Sequence, residues 1–185
     1  MRHNAQVVMP NIVQMILLTS FMVLPVLLLP FVQNILHAGN KEFSMLEALF
    51  SMGAIIGGFS SPILQSKIGF RSTILILLSI MAVALILFAF NTNMLYAYFL
   101  YVTIGFSVSG WALITTYTQL ITDNAIQGRI QATFYGISGA FVVIVYLGLD
   151  YLENILPISM FYLMESVIVL LALLMVFYKI KNIEK

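Results

Sequence analysis

The chain has 185 residues, of which 62% are hydrophobic and 8% are charged, and its mean hydropathy is +1.05. Soluble domains are about half apolar and about a quarter charged, so this composition predicts an integral, multi-pass membrane protein and leaves no room for a soluble domain. The net charge of +1 gives no reason to expect nucleic acid as a partner, and the absence of cysteine excludes disulfides and thiolate metal sites.

Six apolar segments separated by short polar turns predict an all-α membrane protein, with one domain of six transmembrane helices over residues 1–185. A membrane span needs about 20 mostly apolar residues, so this length allows six spans and little else. Pro10 suits the first turn of helix 1, and Pro25 and Pro30 are expected to kink it. The predicted helices cover residues 10–36, 44–65, 72–90, 94–120, 129–151 and 158–178.

The basic residues predict the orientation of these helices. If the N-terminus is inside, seven of the eight Lys and Arg residues fall in cytoplasmic segments, and the outer turns hold only Lys41. Cytoplasmic segments are the ones that carry an excess of basic residues, so both termini are predicted to be cytoplasmic. The seven residues are Arg2, Lys67, Arg71, Arg129, Lys179, Lys181 and Lys185.

Two short sequences predict helix starts. Ser44 and Glu47 have the spacing of a capping box, in which both side chains satisfy free backbone donors at the start of helix 2. Asn124 and Gln127 have the same form before helix 5. Glu47 is therefore assigned to a helix cap rather than to chemistry.

Small residues on helices 2 and 5 predict close helix packing. Gly53 and Gly57 are one turn apart on helix 2, which lets another backbone approach there. On helix 5 small residues recur at every fourth position and form one face. They are Gly128, Ala132, Gly136 and Ala140.

A stripe of small and polar residues runs along one face of helix 4, with steps of three or four residues. The stripe is either a packing seam, for which small and hydroxyl residues are typical, or the wall of a polar cavity; composition alone favours packing. Trp111, the only tryptophan, lies mid-helix away from the interfacial belts and offers an aromatic surface for an apolar ligand. The stripe consists of Tyr101, Gly105, Ser109, Ala112, Thr116 and Gln119.

Glu165 is the acidic residue that lies well inside a predicted span. It is about seven residues from the outer end of helix 6, or roughly 10 Å deep at about 1.5 Å per residue. An ionisable group at that depth is a functional hypothesis by default, so Glu165 is either a proton carrier or a hydrogen-bonded structural residue. Ser159, Tyr162 and Ser166 lie on roughly the same side and are candidates to hydrogen-bond to it.

Catalysis is not predicted. The two histidines, His3 and His37, lie at water-facing edges, and the sequence has no HExxH pair, nucleophile elbow, phosphate loop or metal-ligand cluster. We therefore predict that the protein is not an enzyme and has no catalytic residues, bound metal or cofactor.

The turn between helices 2 and 3 carries a family resemblance. Major facilitator superfamily transporters have two six-helix halves, with the signature Gly-x-x-x-Asp-Arg/Lys-x-Gly-Arg-Arg/Lys between the second and third helices of a half. Residues 62–71 match it at Lys67, Gly69 and Arg71. The chain resembles a C-terminal half, since this copy is degraded and helix 4 lacks the arginine of proton-coupled N-terminal halves. The departures from the signature are Pro62, Ser66 and Phe70.

A second stretch, residues 123–129, resembles the corresponding turn of the macrolide-efflux-like branch, in which a Gly-Arg pair opens the next helix. Together the two stretches imply proton-coupled export of small amphiphilic compounds across a bacterial plasma membrane. Candidate residues of the cytoplasmic gate are Lys67, Gly69, Arg71, Gly128 and Arg129.

The resemblance also implies which helices surround the substrate. Helices 1 and 4 of each half line the central cavity, whereas helices 3 and 6 are peripheral, which weakens the case for Glu165 as a proton carrier. The candidate substrate residues on helices 1 and 4 are Gln14, Ser20, Tyr101, Ser109, Trp111, Thr116 and Gln119.

One half does not make a transporter of this kind, because the substrate site lies between two halves. The expected partners are therefore the lipid bilayer, a small amphiphilic substrate and a second six-helix half, either another copy or a separate chain. The alternative is a small membrane interaction or regulatory subunit, or a fragment without transport.

Overall fold

The computed structural model describes residues 2–179, and the side chains of residues 8–178. This range contains six α-helices and no strand, and each helix is long and apolar enough to cross a membrane. The predicted all-α fold with six transmembrane helices is therefore confirmed. The helices are α1 (Arg2–Asn34), α2 (Asn40–Ile68), α3 (Phe70–Ala89), α4 (Met94–Ile121), α5 (Asn124–Leu152) and α6 (Ile158–Lys179).

Helix α2 starts about one turn earlier than predicted, at Asn40. The backbone N–H of Gly39 donates to Oε2 of Glu42 over 3.0 Å, so Glu42 supplies the cap. The hydroxyl of Ser44 donates to the Asn40 carbonyl within the helix, at 2.9 Å. The predicted Ser44–Glu47 capping box does not form, and Glu47 lies about two turns inside α2.

Helix α5 also starts earlier than predicted, at Asn124 rather than near 129. Asp123 is its N-cap, and the Oδ1 atom of this residue accepts from the backbone N–H of Ala125 over 3.0 Å. Gly128 and Arg129 therefore lie within the early turns of α5, not in a turn before it.

Short connections make consecutive helices antiparallel, and the α2–α3 connection is the single residue Gly69. Gly69 has φ +84° and ψ 159°, a conformation that is essentially restricted to glycine. The Arg71 guanidinium donates to the carbonyl of Phe177 over 2.9 Å and lies 5.3 Å from its ring centroid. The α2–α3 turn and the end of α6 therefore lie at the same end of the bundle.

The two ends of the bundle differ in charge. We call one the basic end, where Lys67, Arg71 and Arg129 outnumber Asp123, and the other the acidic end, where Glu42, Asp150 and Glu153 outnumber Lys41. Helices α2, α4 and α6 begin at the acidic end, whereas α3 and α5 begin at the basic end. The cytoplasmic position of the basic end stays a prediction.

The helices pair across the chain more than along it. Helix α2 packs mainly on α4, α3 packs on α6 and α4, and α1 packs on α6, α5 and α4, whereas α1 with α2 and α2 with α3 touch little. Exchanging α1–α3 with α4–α6 maps the six main pairs onto one another: α2–α4 becomes α5–α1, α3–α4 becomes α6–α1, and α3–α6 and α1–α4 map onto themselves. The minor α1–α2 and α2–α3 contacts have no counterpart of the same extent. Because consecutive helices alternate in direction, the exchanged helices run oppositely. The bundle thus has the contact pattern of two inverted three-helix repeats.

An aromatic cluster forms the core near the acidic end. It consists of the buried residues Phe31, Phe88, Tyr101 and Tyr162, from α1, α3, α4 and α6. The Phe88 ring centroid lies 4.7 Å from that of Phe31, 4.9 Å from that of Tyr162 and 5.4 Å from that of Tyr101. Each such pair adds about 0.5–1.5 kcal/mol beyond burial, so the cluster ties four helices together.

Candidate functional site

The first part of the helix 4 stripe is a packing seam against α2. Gly105 and Ser109 are buried there, as are Gly53 and Gly57. A Cβ added at Gly53 would lie 2.9 Å from the backbone N of Phe106, and one at Gly57 would lie 3.0 Å from Ser109 Oγ. Only glycine permits so close an approach of two helices. Packing therefore accounts for this part of the stripe.

Tyr101 lies at the start of the same seam, within the aromatic cluster. It is 1% exposed, and its ring centroid lies 5.5 Å from that of Phe50 on α2. Its side chain faces the core between α2 and α3, so a ligand would have to enter the packed bundle to reach it.

The second part of the stripe is exposed. Ala112, Thr116 and Gln119 all lie on the surface of the six helices, and the Thr116 hydroxyl donates to the Ala112 carbonyl at 3.0 Å. The stripe therefore changes character along α4, from a seam with α2 to a free surface near the basic end.

Trp111 lies between these two parts and is half-buried. Its ring is parallel to that of Phe21, with centroids 6.4 Å apart, and its Nε1 has no acceptor. The void beside it has a volume of about 10 Å³, which is near the least that one water needs. Trp111 can therefore meet a ligand only through its exposed part.

Gln14 anchors a polar network at the basic end that joins α1, α4 and α5. Its Oε1 lies 3.0 Å from the hydroxyl of Thr118, which is buried. Its Nε2 lies 3.3 Å from the hydroxyl of Tyr135 and 3.4 Å from Oε1 of Gln131. Gln131 in turn donates to the Thr118 hydroxyl over 3.3 Å. The network attaches the first half of α5 to the bundle.

Of this network the sequence predicts only Gln14. Thr118 falls between two stripe residues of α4, on another face, and so the spacing of the stripe does not predict it. Gln131 and Tyr135 are four residues apart on α5, next to its small-residue face. That polar i, i+4 pair is the signal that could have identified this side of α5.

The five residues predicted to form a cytoplasmic gate lie at the basic end. Lys67, Gly69, Gly128 and Arg129 are exposed, whereas Arg71 is half-buried against Phe177. The first four are therefore free to contact water, lipid headgroups or another chain.

Glu165 is buried, at 5% exposed, and Ser20 on α1 is its polar neighbour. The Oε2 atom of Glu165 has no hydrogen-bond partner. The expected helpers on α6 do not provide one either: the Ser166 hydroxyl donates to the Leu163 carbonyl over 2.7 Å, and the Tyr162 hydroxyl has no partner. Ser20, which the sequence analysis predicts as a substrate residue, and Glu165, which it predicts as a possible proton carrier, are therefore neighbours in the structure.

The acidic end holds a crevice between α1 and the α5–α6 connection. Its volume is about 390 Å³, and Pro30, Asn34, Glu153 and Asn154 are among the residues that line it. Within residues 2–179 no three His, Asp or Glu side chains are grouped so that they could hold a metal ion. The crevice therefore offers isolated polar groups rather than a built coordination site.

A scan against protein-family models matches no family, and a search of curated proteins finds no match. Function is therefore inferred from the contacts, burial and charges of residues 2–179.

Proposed function

We propose that the chain is one half of a facilitator-type transporter, which exports small amphiphilic compounds and is coupled to protons. The observation that carries this proposal is the contact pattern of two inverted three-helix repeats. Each six-helix half of a major facilitator transporter is built from such a 3+3 inverted repeat. A bundle whose helices paired mainly with their neighbours in sequence would give no support to this architecture.

The small-residue face of α5 supports the need for a second half. Gly128, Ala132, Gly136 and Ala140 are all exposed, and a Cβ added at Gly128 or Gly136 would meet no atom within 4 Å. Small residues are typical of surfaces where helices pack closely, and a surface that meets only lipid has no use for them. In this proposal α5 packs against a second six-helix unit, most simply another copy of the chain.

The exposed part of the α4 stripe supports a substrate surface beside that interface. Thr116 and Gln119 offer polar groups, and the exposed part of Trp111 offers an aromatic one. Sites for amphiphilic compounds combine a mostly apolar lining with a few polar groups. In this proposal these three residues contact the substrate, whereas Tyr101 and Ser109 hold α4 in place from within the seam.

The distribution of charge supports the orientation. Lys67, Arg71 and Arg129 share one end of the bundle, and in this proposal that end faces the cytoplasm of a bacterial cell. Export then moves the substrate from the basic end towards the acidic end, and protons move in the opposite direction.

The test combines oligomeric state with transport. In lipid nanodiscs we expect particles with two copies of the chain. Gly136→Leu should give single copies, because its side chain enters the small-residue face. Gly148→Leu is the matched control: it is also free of contacts within 4 Å, but it lies about 120° around α5 from Gly136. In liposomes with an inward proton gradient, the parent and the control should move a fluorescent amphiphilic dye, whereas Gly136→Leu should not.

Two results would count against this function. A strictly monomeric protein that moves no dye at any proton gradient would overturn it and favour the interaction-subunit alternative. If Gly136→Leu and Gly148→Leu have the same oligomeric state, the small-residue face of α5 is not the interface between copies.

A further inference from the structure

Ionisable side chains form a layer across the bundle at one depth. Glu47, Tyr101 and Glu165 each lie seven residues after the first residue of their helix, namely α2, α4 and α6. All three helices begin at the acidic end, so at about 1.5 Å per residue each side chain starts about 10 Å from that end. This common depth becomes visible only with the true start of α2, which removes Glu47 from the helix cap.

The aromatic cluster connects the members of the layer. Tyr162 lies about one turn before Glu165 on α6, and Tyr162 and Tyr101 both pack on the ring of Phe88. Glu47 lies about one turn before Phe50 on α2, and the ring centroid of Phe50 lies 5.5 Å from that of Tyr101. Tyr162 therefore belongs to the same aromatic cluster as Tyr101 and lies about one turn nearer the acidic end than Glu165.

Three groups in this region have buried polar atoms without a hydrogen-bond partner. They are the Oε2 atom of Glu165, the hydroxyl of Tyr162 and the Oε1 atom of Glu47. The hydroxyl of Ser20 lies beside the Glu165 carboxyl. Glu165, Tyr162 and Ser20 are 5%, 0% and 1% exposed. Buried polar atoms are nearly always hydrogen-bonded, and a cluster of exceptions indicates a working group or a bound water or ion.

No cation compensates Glu165 among the helices that pack on α6, which are α1 and α3. Arg71 is the only charged residue of α3, and it lies at the basic end on the carbonyl of Phe177. Residues 8–34 of α1 contain no charged residue. Tyr162 lies about one turn before Glu165 on the same helix, whereas Tyr101 and Glu47 belong to α4 and α2. An unpaired carboxylate in such surroundings is costly, whereas a neutral carboxylic acid is not.

We propose that Glu165 is a proton-binding site inside the bundle, filled from the acidic end through Glu47, Tyr101 and Tyr162. A proton from water enters at Glu47, which is half-buried. Each group in turn, or a water between two groups, accepts one proton and releases another, so every O–H bond that breaks is replaced by one that forms. The net change is one proton moved from water to Glu165, with Ser20 as a further hydroxyl neighbour of the filled site.

The proposed function is needed only to explain what the bound proton does, which is to drive export. Proton binding at Glu165 does not require it. The site can therefore be tested without substrate, in the full chain in lipid nanodiscs. The probe is dicyclohexylcarbodiimide, an apolar reagent that adds a protonated carboxylic acid across its C=N bond and leaves a stable acylurea on the side chain. Peptide mass spectrometry identifies the modified residue.

We expect modification of Glu165 that decreases as the pH rises, and no modification of Asp150, which is exposed at the acidic end. Glu165→Gln should lose the modification. Absence of label on Glu165 at every pH would overturn the proposal. So would protection of Glu165 by NaCl at constant pH, which would identify a sodium site instead.

The pathway has its own test, which stays decisive if Glu165→Gln does not fold. Infrared spectroscopy follows the C=O band of the protonated carboxyl while the sample is moved from H₂O to D₂O. Tyr162→Phe should lose the fast exchange of this band, whereas Tyr151→Phe, at an exposed position of α5, should keep it. Equal exchange in both variants would overturn the pathway. If Glu165 is labelled as expected but the protein transports no dye, the proton-binding site is supported and only the proposed transport function is contradicted.

Discussion

The seam between α2 and α4 makes a sharp prediction, because two glycines on the same helix have opposite surroundings. A Cβ at Gly53 would overlap the carbonyl oxygen of Val102 and lie 2.9 Å from the backbone N of Phe106, whereas a Cβ at Gly58 would meet no atom within 4 Å. Gly53→Ala should therefore force α2 and α4 apart, and Gly58→Ala should not.

The size of the effect follows from the atoms involved. The obstacles at Gly53 are backbone atoms, which cannot rotate away as a side chain would. Extra methyl groups in a well-packed core cost about 1–3 kcal/mol, so we expect about 3 kcal/mol for Gly53→Ala. Both substitutions change helix propensity by the same amount, about 1 kcal/mol in favour of alanine in water. The propensity contribution cancels when the two variants are compared. The difference between their free energies of unfolding therefore measures the cost of the overlap at Gly53.

The assay is reversible unfolding of the two variants in mixed micelles, followed by circular dichroism as the denaturing detergent is increased. The free energy of unfolding should fall for Gly53→Ala relative to Gly58→Ala by the amount given above. If the two variants unfold at the same detergent fraction, α2 and α4 do not approach each other as described, and the reasoning about the seam is wrong.

Three further substitutions test other contacts. Gly69→Ala should destabilise the protein by about 1–3 kcal/mol, because its backbone conformation suits glycine alone; thermal unfolding measures this. Gln14→Leu should cost about 1 kcal/mol and increase hydrogen exchange in the first half of α5, since Gln131 and Tyr135 lose their contacts with α1. Arg71→Gln should increase hydrogen exchange at the end of α6, because the contacts with Phe177 are lost. Unchanged unfolding or exchange would contradict each assignment.

The six spans could be predicted from the sequence because hydrocarbon leaves the chain few alternatives. Every backbone group must be satisfied within the membrane, so a long apolar segment becomes a helix. Helix starts were less predictable, because several side chains compete to cap the same helix. At the start of α2 the capping side chain is Glu42 and not Glu47. At the start of α5 it is Asp123 and not Gln127.

The candidate sites could be predicted only in part, since they depend on contacts between distant helices. Gln14 and Glu165 stand out because they are polar residues in apolar segments. Their neighbours Gln131 and Ser20 are fixed by the packing of α1 on α5 and α6, which periodicity on a single helix does not contain. The helix 4 stripe shows the same limit, because one regular spacing covers both a buried seam and a free surface.

The pairing of helices across the chain also constrains how the protein can be made. Chains emerge from the ribosome from the N-terminus, but α1 with α2 and α2 with α3 touch little. The main partner of α2 is α4, and α3 obtains its contacts with α6 only when the last helix has been inserted. Until α4 has been inserted, Gly53 and Gly57 lack the helix that covers them. A product that stops after α3 therefore lacks almost every stabilising contact between helices, and we expect membrane proteases to remove it while they spare the finished bundle.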